Sequence, residues 1–141
     1  MDSIFENFQY HGAWFNKTVI TFNENNVEVD IQIDGYDEQE IPIKSREALE
    51  SFLETKDNFT EAIAAKVFEC YQREQNSIEF KNPIQLLNTL QLVGITVPDQ
   101  DDFCEQVIYL VFNCDWDIEH GIGIRLVGGT VDEVGHQDIA L

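Results

Sequence analysis

Two stretches near the N-terminus alternate apolar and polar residues with the period of a β-strand. Residues 13–22 read AWFNKTVITF and residues 27–33 read VEVDIQI. In the second stretch Val27, Val29, Ile31 and Ile33 share one face, and Glu28, Asp30 and Gln32 share the other. Between them lie Asn23, Glu24, Asn25 and Asn26, residue types that suit a hairpin turn. The pattern predicts an antiparallel pair with one wet, acidic face. The period then lengthens to that of a helix. Ser45 is placed to cap a segment whose Leu49, Phe52 and Leu53 form an apolar stripe. Asn58 and Glu61 have capping-box spacing before Phe59, Ile63, Val67, Cys70 and Tyr71. Asn82-Pro83 signals a third helix start, continued by Ile84, Leu87 and Leu90 and ended by Gly94. Residues 95–102, ITVPDQDD, read as a connector.

Strand periodicity returns after residue 106. Val107, Tyr109 and Val111 alternate with Ile108, Leu110 and Phe112, so both faces are apolar and the strand is expected to be central. Ile122, Ile124 and Leu126 alternate across the next strand, Gly128-Gly129 marks a tight turn, and residues 130–134 return. The expected fold is therefore α+β. An antiparallel sheet, built from an N-terminal hairpin and a C-terminal meander, packs against about three α-helices in a single domain spanning 1–141.

Composition narrows the function classes. The apolar fraction of 43%, with 10 Phe, 4 Tyr and 2 Trp, is enough for one core. The N-terminal residues lack the basic start and apolar run of a signal peptide, and no apolar stretch is long enough to span a bilayer. A cytoplasmic protein is expected. Cys70, Cys104 and Cys114 form no C-x-x-C pair and read as reduced, mostly packed thiols. Twenty-seven acids against eight bases give a net charge of −19. Such a field repels nucleic acids and anionic membranes and attracts basic partners. Nothing in the sequence sets an oligomeric state.

The densest chemistry lies in NCDWDIEHGIGIR, residues 113–125. Asp115, Asp117 and Glu119 alternate like the start of an EF-hand loop, but His120 stands where glycine is required and Leu126 where a bidentate Glu belongs. Cys114, His120 and His136 lack the paired spacings of a zinc site. No nucleophile motif accompanies Cys114, and no helix opens after the glycines to form a phosphate loop. No catalytic residue, metal ligand or cofactor is therefore expected. Cys114, Trp116, His120, Gly121, Gly123 and Arg125 read instead as a locked hairpin corner, with Arg125 bridging Asp117 or Glu119.

The C-terminal string resembles the end of a group of small bacterial proteins whose C-termini run C-x-W-D/E-x-E-H-G-x-G and then V-x-x-V-G-x-x-D. Cys114, Trp116, Asp117, Glu119, His120, Gly121, Gly123, Val134, Gly135 and Asp138 match that pattern. These proteins are similar to the immunity proteins of toxin–immunity systems, contact-dependent growth inhibition among them. The resemblance implies a cytoplasmic, non-catalytic inhibitor of one cognate toxin domain, with no catalytic residues to carry over. A toxin that cleaves nucleic acid has a basic cleft, which an acidic surface can occlude. The expected contact acids are Glu28, Asp30, Asp34, Asp37, Glu38 and Glu40 near the hairpin, or Asp115, Asp117 and Glu119 at the C-terminal corner. Two alternatives stay open: a metal-dependent or hydrolytic enzyme using Asp117, Glu119 and His120, and a housekeeping interaction module.

Overall fold

The computed structural model of the chain describes residues 4–35, 40–74, 88, 90–114 and 121–135. The hairpin forms as the alternation predicts. β1 (Gln9–Tyr10), β2 (Trp14–Phe22) and β3 (Asn25–Ile33) are antiparallel neighbours, with Phe22 opposite Asn25. That register leaves a two-residue loop, narrower than the four turn-forming residues suggested. Asn23 and Glu24 take φ of 51° and 66°, the left-handed pair whose twist matches that of the flanking strands. Asn25 Nδ2 donates to the Asn23 carbonyl at 2.9 Å and holds the loop.

The helical portion departs from expectation. Among the described residues it is one run: α1 (Ile43–Thr55), a 3-10 turn over Lys56–Phe59, and α2 (Thr60–Glu74). Pro42, not Ser45, occupies the N-cap of α1. Its ring fixes φ near the helical value, and its carbonyl accepts the first helical bond, from Arg46 N at 3.0 Å. Ser45 lies in the first turn, fully buried, with its Oγ unpartnered. Because a buried hydroxyl without a partner costs about 1–3 kcal/mol, Ser45→Ala should raise the urea midpoint rather than lower it. A loss of stability on that substitution would mean the hydroxyl has a partner. Asn58 is inside the 3-10 turn, so the expected capping box does not start a helix there.

The predicted third helix is also corrected. Its start at Asn82-Pro83, with Ile84 and Leu87, lies outside the described residues. Its end is a strand: β4 (Leu90–Val97) runs through Gly94 and through residues read as a connector. The cause is a β-bulge. Leu92 pairs with Phe112 and Gly94 with Val111, leaving Val93 as the extra residue. Inward positions therefore run 92, 95, 97, a skip that breaks the period of two and imitates a helical interval.

β5 (Val107–Cys114), β6 (Ile122–Val127) and β7 (Thr130–Gly135) complete a seven-stranded sheet whose order is the chain order. The sheet is mixed, not antiparallel, because β3 and β4 are parallel over Asp30–Ile33 and Gly94–Val97. A parallel neighbour cannot be reached by a tight turn, so the helical run serves as the crossover. Directly paired residues point to the same face. One face carries Val29, Ile31, Ile33, Leu92, Ile95, Leu110, Phe112, Ile122 and Ile124, all buried. Ala48, Leu49 and Phe52 of α1 and Ile63, Ala64 and Val67 of α2 pack into the same core. Phe52 and Phe59 stack at 6.2 Å across the joint between the helices. No helix among the described residues is long and apolar enough to cross a membrane.

Candidate functional site

The opposite face of the sheet carries the accessible chemistry. Strand register lays its residues out in rows. One row runs Gln9, Phe15, Gln32, Thr96, Tyr109, Arg125, Glu133 from β1 to β7. The adjacent row runs Lys17, Asp30, Gly94, Val111, Gly123, Gly135. Glycine in the second row removes a side chain between neighbours. At Gly94 this opens a groove of about 670 Å³ whose walls include Phe15, Lys17, Asp30, Thr96 and Val111. A Cβ added at Gly94 would lie 3.4 Å from Val111 Cβ and 3.7 Å from the Asp30 carbonyl. The backbone of β4 is thus the groove floor.

Among the described residues, charge on this face is organised around two bases. Lys17 Nζ stands 3.8 Å from Glu28 Oε1 and 3.7 Å from Asp30 Oδ1, and all three side chains are more than half exposed. Ion pairs of that length and exposure contribute little to stability, so a partner can exchange them at small cost. Arg125 is held more tightly. Its Nη2 lies 2.6 Å from Asp132 Oδ2 and 3.0 Å from Glu133 Oε2, and its Nε donates to Asp132 at 2.8 Å. The hydrogen bond to Asp132, with further support from Tyr109 and Glu133, holds the guanidinium above its ordinary value against the desolvation that lowers it. A second bulge explains the double partner. Arg125 pairs with Glu133 and Leu126 with Val131, so Asp132 is the extra residue and two acids face one base. Asp117 and Glu119, the partners expected for Arg125, lie outside the described residues; among the described ones its partners are Asp132 and Glu133.

The other candidate residues are distributed as follows. Glu28 and Asp30 are exposed on the outer face of β3, as the alternation predicts. Asp34 is half-buried at the end of β3; its Oδ1 accepts from Gln32 Nε2 at 2.9 Å, and its N–H donates to the Val97 carbonyl. Both bonds tie it to the end of the strand. Glu40 is exposed before α1. Asp37, Glu38, Asp115, Trp116, Asp117, Glu119 and His120 lie outside the described residues, as does the side chain of Cys114, which ends β5. Gly121 has φ of 60° and is buried where the chain enters β6, and Gly123 is buried within that strand. Cys104 is exposed rather than packed.

Sequence reasoning did not single out Phe15, Lys17, Gly94, Thr96 or Val111. The available signal was in β2, whose odd positions place Phe15 and Val19 on the polar side of the hairpin, 39% and 61% exposed. A second hollow of about 690 Å³, containing Glu24, Asp57 and Glu61, lies between the hairpin tip and the start of α2. Among the described residues no group of three or more His, Cys, Asp or Glu is arranged to hold a metal ion.

The architecture is thus a mixed sheet with helices on one face and an acidic, grooved opposite face. The chain belongs to the family described as a domain of unknown function, DUF6985, whose model matches residues 4–141. No curated protein and no solved structure matches it.

Proposed function

We propose that this protein is an immunity protein: a non-catalytic, cytoplasmic inhibitor that binds a cognate bacterial toxin domain and occludes its basic active site. The observation that supports this reading best is the outer face of β3. There Glu28 and Asp30 stand exposed, with Lys17 as a loosely held partner, in a chain of net charge −19. Two carboxylates against one distant ammonium leave a negative surface on the sheet face opposite α1 and α2. A basic toxin cleft gains twice from meeting it. The long-range field raises the encounter rate, and the carboxylates replace the phosphates that the cleft is built to grip. Apolar contacts beside the charges then set the dissociation rate.

The test is binding to the toxin encoded beside this protein, measured at ionic strengths of about 50 mM and about 500 mM. Because steering between exposed charges is screened over this range, association should slow by about tenfold or more. The complex should also abolish the toxin's activity. An absent complex, or an association rate indifferent to salt, overturns the proposal. Stoichiometric metal in the purified protein that is lost on His120→Ala would overturn it in favour of an enzyme.

A further inference from the structure

We propose that the groove over Gly94 is the docking site for an extended basic segment of the partner protein. An arginine or lysine of that segment lies over the β4 backbone with its carboxylate partner at Asp30. This names the contact surface of the function proposed above and rests on that reading.

Three features converge on this occupant. The groove has a polar end where Asp30 stands beside the loosely held Lys17, and apolar walls at Phe15 and Val111, joined by a floor without a side chain at Gly94. An arginine or lysine side chain has the same division, an apolar stem and a charged head. The resident base is already arranged in this way: Lys17 reaches both Glu28 and Asp30, but at 3.7–3.8 Å and well exposed, so a second cation can enter without displacing a buried pair. Finally, Phe15 and Val19 flank Lys17 on the same face and leave apolar surface beside the charges, the combination that gives an interface both a core and a polar rim. Charge argues against the other occupants. A second copy of the chain brings a further −19, and a nucleic acid or anionic lipid brings phosphates to a chain of that same negative charge.

The full ¹⁵N-labelled chain is titrated with a synthetic peptide of alternating arginine and valine, and with an oligoglutamate peptide as the opposite charge. With the basic peptide, amide shifts should centre on Phe15, Lys17, Asp30, Gly94 and Val111; oligoglutamate should give none. Gly94→Val fills the floor. The site has room for a Cβ in ordinary contact, and a β-branched residue suits a strand, so the variant should fold. It should bind the basic peptide at least tenfold more weakly. Asp30→Lys, at a position whose side chain is 73% exposed, tests the same contact without touching the core and should also weaken binding. Glu61→Gln, in the hollow beside α2, should not. Shifts centred on Glu24, Asp57 and Glu61, shifts spread evenly over all the acids, or full affinity in both groove variants would overturn the proposal.

Repeating the variants with the toxin separates the two levels. If the toxin binds and both groove variants bind it as tightly, the docking surface is wrong and the immunity reading stands. If no toxin binds but the basic peptide occupies the groove and both variants lose it, the surface stands and the immunity reading falls.

Discussion

Phe112→Ala is expected to lower the unfolding free energy by about 3–5 kcal/mol, a large share of the roughly 5–15 kcal/mol that holds a domain folded. Phe112 is 1% exposed, and its ring lies 5.8 Å from that of Phe22 at an interplanar angle of 57°. The position explains the magnitude. β3 and β4 pair only over Asp30–Ile33 and Gly94–Val97, so the first halves of these strands are not joined by ladder pairs. Phe22 from β2 and Phe112 from β5 meet on the core face near this unzipped end. Removing the ring therefore leaves a void that backbone pairing cannot close. Phe112→Leu, which keeps most of the volume, should cost far less. Equilibrium urea unfolding measures both; a loss below about 1 kcal/mol for the alanine variant would show that the two aromatic rings do not bridge the sheet.

Legibility in the sequence followed the regularity of each element. β2, β3 and β5 to β7 were readable because their alternation is nearly unbroken and their turns carry recognisable residues. β4 was not, since the extra residue Val93 shifts its inward positions and leaves spacings a helix would also show. The parallel pairing of β3 with β4 has no local signal at all; it arises because the helical run must return the chain to the sheet. Ser45 drew the N-cap assignment by residue type, but Pro42 starts α1 by restricting φ. The candidate site divides in the same way. Glu28 and Asp30 were legible as the wet face of a regular hairpin. The groove was not, because it depends on Gly94 standing between Asp30 and Val111, which are distant in sequence and adjacent only once the parallel register is known. The partners of Arg125 were close at hand across the Gly128-Gly129 turn, yet only the bulge at Asp132 presents both acids to it.

Gln100→Ala should cost about 3 kcal/mol, because it exposes a buried strand end to unpaired polar groups. Pairing between β4 and β5 stops at Thr96 opposite Tyr109, so the N–H and C=O of Val107 that point toward β4 have no backbone partner there. The side chain of Gln100 takes that place. Its Oε1 accepts from Val107 N at 2.9 Å, and its Nε2 donates to the carbonyls of Val107 at 3.0 Å and Pro98 at 2.8 Å. Gln100 is 5% exposed and Val107 1%, so water is a poor substitute. Gln100→Glu separates hydrogen bonding from shape. The carboxylate keeps the acceptor for Val107 N but faces two carbonyl oxygens with no donor. Its ionised form is disfavoured by those oxygens and by burial, which pushes the folded-state pKa above the ordinary glutamate value of about 4.3. For an acid shifted upward, the folded state binds more protons, so the penalty grows as pH rises through and above the unfolded value. Below it, the protonated group recovers one donor. The difference in urea midpoint between Gln100→Glu and the parent should therefore be larger at about pH 7.5 than at about pH 4.5. Gln100→Ala carries no titrating group and should show nearly the same deficit at both. Equal deficits for the glutamate variant at the two pH values would mean that Val107 and Pro98 find their partners elsewhere.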